Sequence, residues 1–301
     1  MTKSVDIIGK KWWFFIFSAV IILPGIISLV LWGLRLSIDF TGGSLIELKF
    51  QTDPANNQNI EEVIKNRNLD LVTVSKTREN SYLLRLKPID KNQNILLQQD
   101  LNNKLGKVEE LRFETVGPVI GQESTRNAFK AVIAASIAII IYIAASFRQI
   151  PKPYSPWKFG VAAVLALIHD VLVVIGIFSL LGHFFHVEID SLFITALLTV
   201  MGFSVHDSIV VFDRIRENLR KMSGEPFDRI VNASLVQTLA RSLSTSLTVI
   251  FTLFALLLFS GESNRWFIVA LLVGITSGTY SSIFNASPLL VIWEERKKPA
   301  K

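Results

Sequence analysis

The chain has 301 residues, half of them hydrophobic, with a mean hydropathy of +0.43 and a formal net charge of +6. Its apolar residues come in blocks of about 18 or more, the length that crosses a bilayer, which excludes an ordinary soluble domain. A pI near 9.5 does not point to nucleic acid, because the basic residues gather at the ends of the apolar blocks as membrane topology requires; without cysteine there is no disulfide, iron–sulfur or thiolate-zinc chemistry.

Met1–Lys11 is short and basic, and Trp12–Leu34 is then a 23-residue apolar run. At about 1.5 Å per residue it is long enough to cross. It is longer than the core of a cleaved signal and ends without a small-residue cleavage site, so it reads as an uncleaved anchor. Pro24-Gly25 in its middle predicts a kink, which membrane helices tolerate.

Residues 35–126 are different material, polar and charged, with 13 Lys/Arg. Ile46, Leu48 and Phe50 alternate with Glu47 and Lys49, the pattern of a half-buried strand. Ile60–Arg67 reads as a helix, Leu71–Ser75 and Ser81–Leu86 as strands joined through the turn Lys76–Asn80. Ile95–Leu105 reads as a helix ended by Gly106, and Val108–Thr115 as a strand stopped by Gly117-Pro118. The order β-α-β-β-α-β predicts a small α+β, ferredoxin-like domain. Asp39-Phe40-Thr41-Gly42-Gly43, at the first membrane exit, reads as a tight turn whose glycines permit positive φ and close backbone approach. No lysine follows at phosphate-loop spacing.

Five further spans are expected at 127–147, 159–182, 191–213, 243–260 and 266–293. With the first they make a polytopic α-helical membrane protein of six transmembrane helices. The N-terminus, the loop Arg148–Lys158, the Arg214–Arg241 region and the C-terminal EERKKPAK carry sixteen Lys/Arg, whereas the short loops on the other side carry only Arg265. That bias predicts both termini in the cytoplasm and residues 35–126 outside.

Within these spans or near their ends lie Asp170, Asp207 and Arg241, with His169 and His206 beside the two acids. A carboxylate at such depth costs about 3 kcal/mol on insertion scales and usually faces a bundle interior or a wet cavity. Ser234, Thr238, Arg241, Thr245, Thr248 and Thr252 step by three and four and share one helix face, expected to turn toward the bundle or a water-filled path. Gly274, Ser277, Gly278, Ser281 and Ser282 in the last span read first as close-packing positions. Asp207 and Arg241 fit either a structural salt bridge or a proton carrier whose affinity a movable arginine switches. Asp213, beside Arg214 and Arg216, reads as an ion-pair residue at the cytoplasmic boundary. Adjacent helix residues diverge by about 100°, which argues against either His-Asp pair chelating a metal. No nucleophile elbow, HExxH or phosphate loop is present, so no enzyme is expected.

These residues carry a resemblance. DFTGG at 39–43, VGPVIGQE at 116–123, HD at 169–170, VHDSIVVFDRIREN at 205–218 and SLVQTLARSLSTSLT at 234–248 resemble, in this order, the SecF family of protein-export membrane proteins. These are the smaller partners of SecD in the resistance-nodulation-division superfamily. The resemblance implies an RND-like half-bundle paired with SecD and associated with the SecYEG channel, with YajC and YidC as further candidate neighbours. It implies that the proton motive force, with no cofactor, helps move preproteins across the cytoplasmic membrane after the SecA ATPase has pushed. It carries a proton-relay acid onto Asp207 and its partner arginine onto Arg241, with Asp170 in support; His206 stands where the family often has another polar residue. A proton-driven exporter half for small molecules and a non-conducting scaffold of the export complex are the competing readings.

Overall fold

The computed structural model describes residues 6–51, 57–76, 81–148, 150, 151 and 153–295. The turn at 77–80, the first five residues and the basic tail from 296 lie outside them. In chain order the elements are α1 (Lys11–Trp32), α2 (Ile38–Thr41), β1 (Gly43–Phe50), α3 (Asn57–Asn66), β2 (Leu71–Lys76), β3 (Ser81–Leu86), α4 (Lys91–Leu105), β4 (Val108–Val116), α5 (Pro118–Ser146), α6 (Pro156–Phe185), α7 (Ser191–Lys221), α8 (Phe227–Phe259) and α9 (Glu262–Ser281). A π-helical turn (Ser282–Ala286) then leads into α10 (Ser287–Glu295). Two compact units result, residues 36–130 and the remainder, and the division falls within α5.

Unit 36–130 is the expected α+β domain. Its sheet has the order β2-β3-β1-β4 with every neighbouring pair antiparallel. That is the ferredoxin-like arrangement, since each helix crosses between strands that have a third lying between them. Alternation along β1 sends Ile46, Leu48 and Phe50 into one core with Ile60 and Ile64 of α3 and Leu97 and Leu101 of α4. Helix α4 begins with a capping box, Asp90 accepting from the Gln93 backbone N–H at 2.8 Å while the Gln93 side chain accepts from Asp90 N–H at 2.9 Å. Arg67 pairs with Asp100, and its hydrogen bond holds the Asp100 carboxyl below the usual carboxylate range.

The Asp39–Gly43 motif forms the short helix α2 and the start of β1 rather than a bare turn. Ser37 caps it by accepting from the Asp39 N–H. Gly42 and Gly43 have φ of 70° and 133°, and a Cβ on Gly42 would lie 2.9 Å from Cα of Pro118. Gly121 in turn approaches Gly42 so closely that its own Cβ would lie 2.7 Å from the Gly42 nitrogen, and Thr125 Oγ1 lies 3.3 Å from the Phe40 carbonyl. The first and second sequence motifs are thus two halves of one backbone contact.

Among the described residues six helices are long and apolar enough to cross a membrane, α5 divided between the two units and five in the larger unit. Helices α6, α7 and α9 form its interior. Several spans differ from expectation: α7 continues past 213 to Lys221, and α8 begins at Phe227 rather than 243. Helix α5 starts at Pro118, nine residues before the apolar run, because proline suits a first helical position and its early turns are polar. The last span is interrupted by the π turn, within which Asn285 exchanges hydrogen bonds with Ser18 of α1 at 2.8 and 3.0 Å.

Pro24-Gly25 leaves α1 a single helical element. The glycine instead meets Gly176 of α6, and a Cβ on either would lie 2.8 or 2.7 Å from the other's Cα. This is backbone against backbone, which small residues alone permit. Gly25→Ala and Gly176→Ala should each lower stability by about 1–3 kcal/mol, the usual cost of overpacking, read as a lower thermal midpoint of the purified chain in detergent. The effects should be less than additive, because either methyl forces the same separation.

Candidate functional site

The polar interior of the bundle is built on two carboxylates. Asp170, on α6, has no exposed surface. Its Oδ2 accepts from Ser204 Oγ of α7 at 2.5 Å and from Ser281 Oγ of α9 at 2.7 Å. Its Oδ1 accepts from Ser277 Oγ at 2.8 Å and lies 3.0 Å from His169 Nδ1. Ser277 and Ser281 are four apart on α9 and therefore share its face. Glycines set the approach of the helices: a Cβ on Gly278 would meet Ser204 Cα at 3.2 Å and Asp170 Oδ2 at 3.6 Å. The small residues of the last span thus do two jobs, the glycines admitting α7 and the serines satisfying Asp170.

Asp207 lies three residues after Ser204 on the same face of α7 and is 2% exposed. Its surroundings are much poorer in donors. Ser246 Oγ of α8 donates to Oδ2 at 3.3 Å, and Thr279 Oγ1 of α9 lies 2.7 Å from that same Ser246 Oγ. At the next residue of α7, the Ser208 and Ser282 hydroxyls meet at 2.9 Å, and Ser282 Oγ lies 3.1 Å from the Ser204 carbonyl. A buried carboxylate that accepts several hydrogen bonds is fixed in place. One with a single long bond has spare capacity for a proton, a water or a cation.

Arg241 is not brought to Asp207. It is exposed on the outer face of α8, and among the described residues the two form no ion pair. Of the expected stripe only Ser234 and Thr238 are buried; Thr245, Thr248 and Thr252 are exposed, and their hydroxyls return to the carbonyls of Arg241, Ser244 and Thr248. The buried polar line is Ser234, Thr238, Ser242 and Ser246. Steps of four follow the oblique ridge along which packed helices contact each other, so the contact line winds away from a stripe of mixed threes and fours.

The remaining candidates are placed as follows. His206 is exposed. His169, although adjacent to Asp170 in sequence, folds its ring back onto that carboxylate, against the expectation from a 100° divergence; its Nε2 is buried without a partner among the described residues. Asp213 pairs with Arg216 at 2.5 Å, and Arg214 donates to Gln237 Oε1 at 2.6 Å and pairs with Glu217. Gln237 also accepts from Asn218 Nδ2 at 3.0 Å, which reaches Ser234 Oγ at 2.9 Å. Asp39 to Gly43 lie in the α+β unit, where they serve the backbone contact described above. Sequence reasoning missed Ser204, Ser246 and Thr279 as partners of the acids. A weak signal existed for the first, which lies one helical turn before Asp207.

The family model described as protein export membrane protein SecD/SecF, C-terminal, matches residues 97–296, and that of the SecD/SecF GG motif matches residues 27–54. Among curated proteins, the protein translocase subunit SecF of Thermobaculum terrenum is 47% identical over 97% of this chain and 95% of its own length. That of Anaerolinea thermophila is 45% identical over 96% and 94%. Among solved structures, SecDF from Thermus thermophilus, titled a translocon-associated membrane protein, superposes with a TM-score of 0.84 at 35% identity. The match covers 98% of this chain and 39% of that one, so the chain spans about two fifths of the fused protein. With a family model over residues 97–296 and relatives 47% and 45% identical over nearly the whole chain, the chain belongs to the SecD/SecF family of protein-export membrane proteins.

Proposed function

We propose that this chain is a SecF-type subunit of the Sec export machinery in the bacterial cytoplasmic membrane. There it pairs with a SecD-type subunit and uses the proton motive force to promote late, ATP-independent steps of preprotein movement. The observation that carries this reading is Asp207, a carboxylate inside a membrane bundle whose hydrogen bond among the described residues is the 3.3 Å one from Ser246, beside an Asp170 that accepts from three serines. An intramembrane acid with spare acceptor capacity is suited to load and release a proton. In this reading Asp170 positions α7 and α9 around the carrier, and Arg241 acts from outside the single-chain bundle as the charge that Asp207 meets when a second subunit packs on α8. His206, exposed one residue before the carrier, is a further proton donor or acceptor on that side.

Two observations support the SecD pairing. Relatives from Thermus thermophilus and Bacillus subtilis are single chains named SecDF, of which this chain matches 35% and 38%. Helices α5 and α8 also present apolar side chains outward along their lengths, among them Phe129, Ile133, Phe251 and Phe254. The Lys/Arg bias of the loops supports cytoplasmic termini and an extracytoplasmic location for residues 35–126. SecYEG, and beyond it YajC and YidC, are the partners such a pair would serve.

The test is translocation of a secreted reporter into membrane vesicles containing the chain with its SecD-type partner. Stimulation by the pair should disappear when the proton gradient is collapsed with ATP held constant. Stimulation that survives collapse would make the pair a scaffold.

A further inference from the structure

One buried group in the bundle has no assigned task. Ser242 is 2% exposed, and its Oγ has no hydrogen-bond partner among the described residues. A helical serine or threonine in an apolar setting ordinarily returns its hydroxyl to the carbonyl four residues back. On this same helix Ser234, Thr238, Thr245, Thr248 and Thr252 all do so, at 2.7–3.0 Å. Ser242 does not, so its hydroxyl is turned away from its own backbone and left unsatisfied in the interior.

Its position gives that hydroxyl a meaning. Ser242 is one helical turn from Ser246, which bonds Asp207, and one turn from Thr238 in the other direction. Thr238 Oγ1 donates to the Ser234 carbonyl, Asn218 Nδ2 donates to Ser234 Oγ and to Gln237 Oε1, and Arg214 donates to that same Oε1; the Gln237 and Arg214 side chains reach the surface. Ser234 to Ser246 spans about 18 Å at the helical rise. The opposite wall is apolar, since Val211 and Ile215 of α7 share a buried cluster with Val231 and Leu235 of α8. The buried serines and threonine are therefore the polar edge of an otherwise dry seam between Asp207 and the basic rim.

We infer that this edge is the cytoplasmic half of the proton's path, and that Ser242 is the waypoint holding the water that bridges Ser246 to Thr238. Hydroxyls one turn apart are too distant for direct transfer, and an unsatisfied buried hydroxyl is a place where such a water is bound. In a hop, the Ser242 oxygen takes a proton from the water on one side as its own O–H proton passes to the water on the other. One O–H bond forms, one breaks, and the serine ends uncharged as it began. This inference rests on the reading of Asp207 as the proton carrier.

The experiment measures gradient-driven proton flux in proteoliposomes holding the full chain with a thiol-free SecD-type partner. Asp207→Asn should abolish flux, Ser242→Val should lose most of it, and Ser242→Thr, which restores a hydroxyl, should retain it. If Asp207→Asn abolishes flux and Ser242→Val leaves it unchanged, the path lies elsewhere while the carrier reading stands. If Asp207→Asn keeps full flux, the carrier reading falls and the path with it. Ser242→Cys covers the case in which the valine variant does not fold. The chain has no other cysteine, so a small water-soluble thiol reagent added from the cytoplasmic side should modify position 242, and a folded protein that resists it overturns the path.

Discussion

Asp207→Asn should abolish the gradient-dependent part of export while leaving the protein folded. The two halves of that expectation have separate physical grounds. Asparagine has the shape of aspartate, and its Oδ1 can still accept the Ser246 bond, which at 3.3 Å is a weak one to begin with. Removing a charge from inside a membrane bundle relieves a cost of about 3 kcal/mol on insertion scales rather than adding one. The thermal midpoint of the purified chain should therefore hold or rise. An amide, however, cannot take up and release a proton at physiological pH, so no carrier remains at this position. The measurement is a reporter-export rate with and without the gradient, beside a melting curve of the same preparation. A variant that is stable and exports at the full gradient-dependent rate would remove Asp207 from the mechanism.

What the sequence revealed and what it hid divide along physical lines. The α+β unit was legible because its core is made by short-range alternation: Ile46, Leu48 and Phe50 point one way within a single strand, and turn residues mark each end. The membrane spans were legible because lipid demands length and apolarity together. The early start of α5 was not, since the turns that follow Pro118-Val119-Ile120, Gly121 to Lys130, are largely polar and carry no hydropathy signal. Neither was the π turn, because Ser282–Ala286 contains no proline or glycine and is seated by contacts to α1 and α7. The site shows the same contrast. Two acids within apolar runs announce themselves, but their partners come from other helices, and no periodicity in α6 names Ser204, Ser277 and Ser281. The stripe through Arg241 misled because a regular face says that polar groups are aligned, without saying which way the helix turns them.

Asp170 should behave in the opposite way from Asp207, with stability as the first casualty. Its two oxygens take hydroxyl donors from α7 and α9 and lie beside the neighbouring His169 ring; the carboxylate has no exposed surface and the three serines are buried. Asp170→Ala removes every acceptor at once. The serines can recover part of the loss by turning back to their own helices, but the His169 ring and the emptied volume cannot. A cost of about 3 kcal/mol or more follows, because several hydrogen bonds to a charged group are lost at once and each is worth about 1.5–3 kcal/mol. Asp170→Asn keeps one acceptor oxygen and presents an amide to hydroxyls that can rotate to accept from it, so it should cost about 1–3 kcal/mol. The thermal midpoints should fall in the order wild type, Asn, Ala, and export should be lost in step with folding. If Asp170→Ala matched the wild type in stability, the three serines could not be holding α7 and α9 together through it. If the Asn variant instead folded fully and lost only the gradient-dependent part of export, Asp170 would join Asp207 as a carrier.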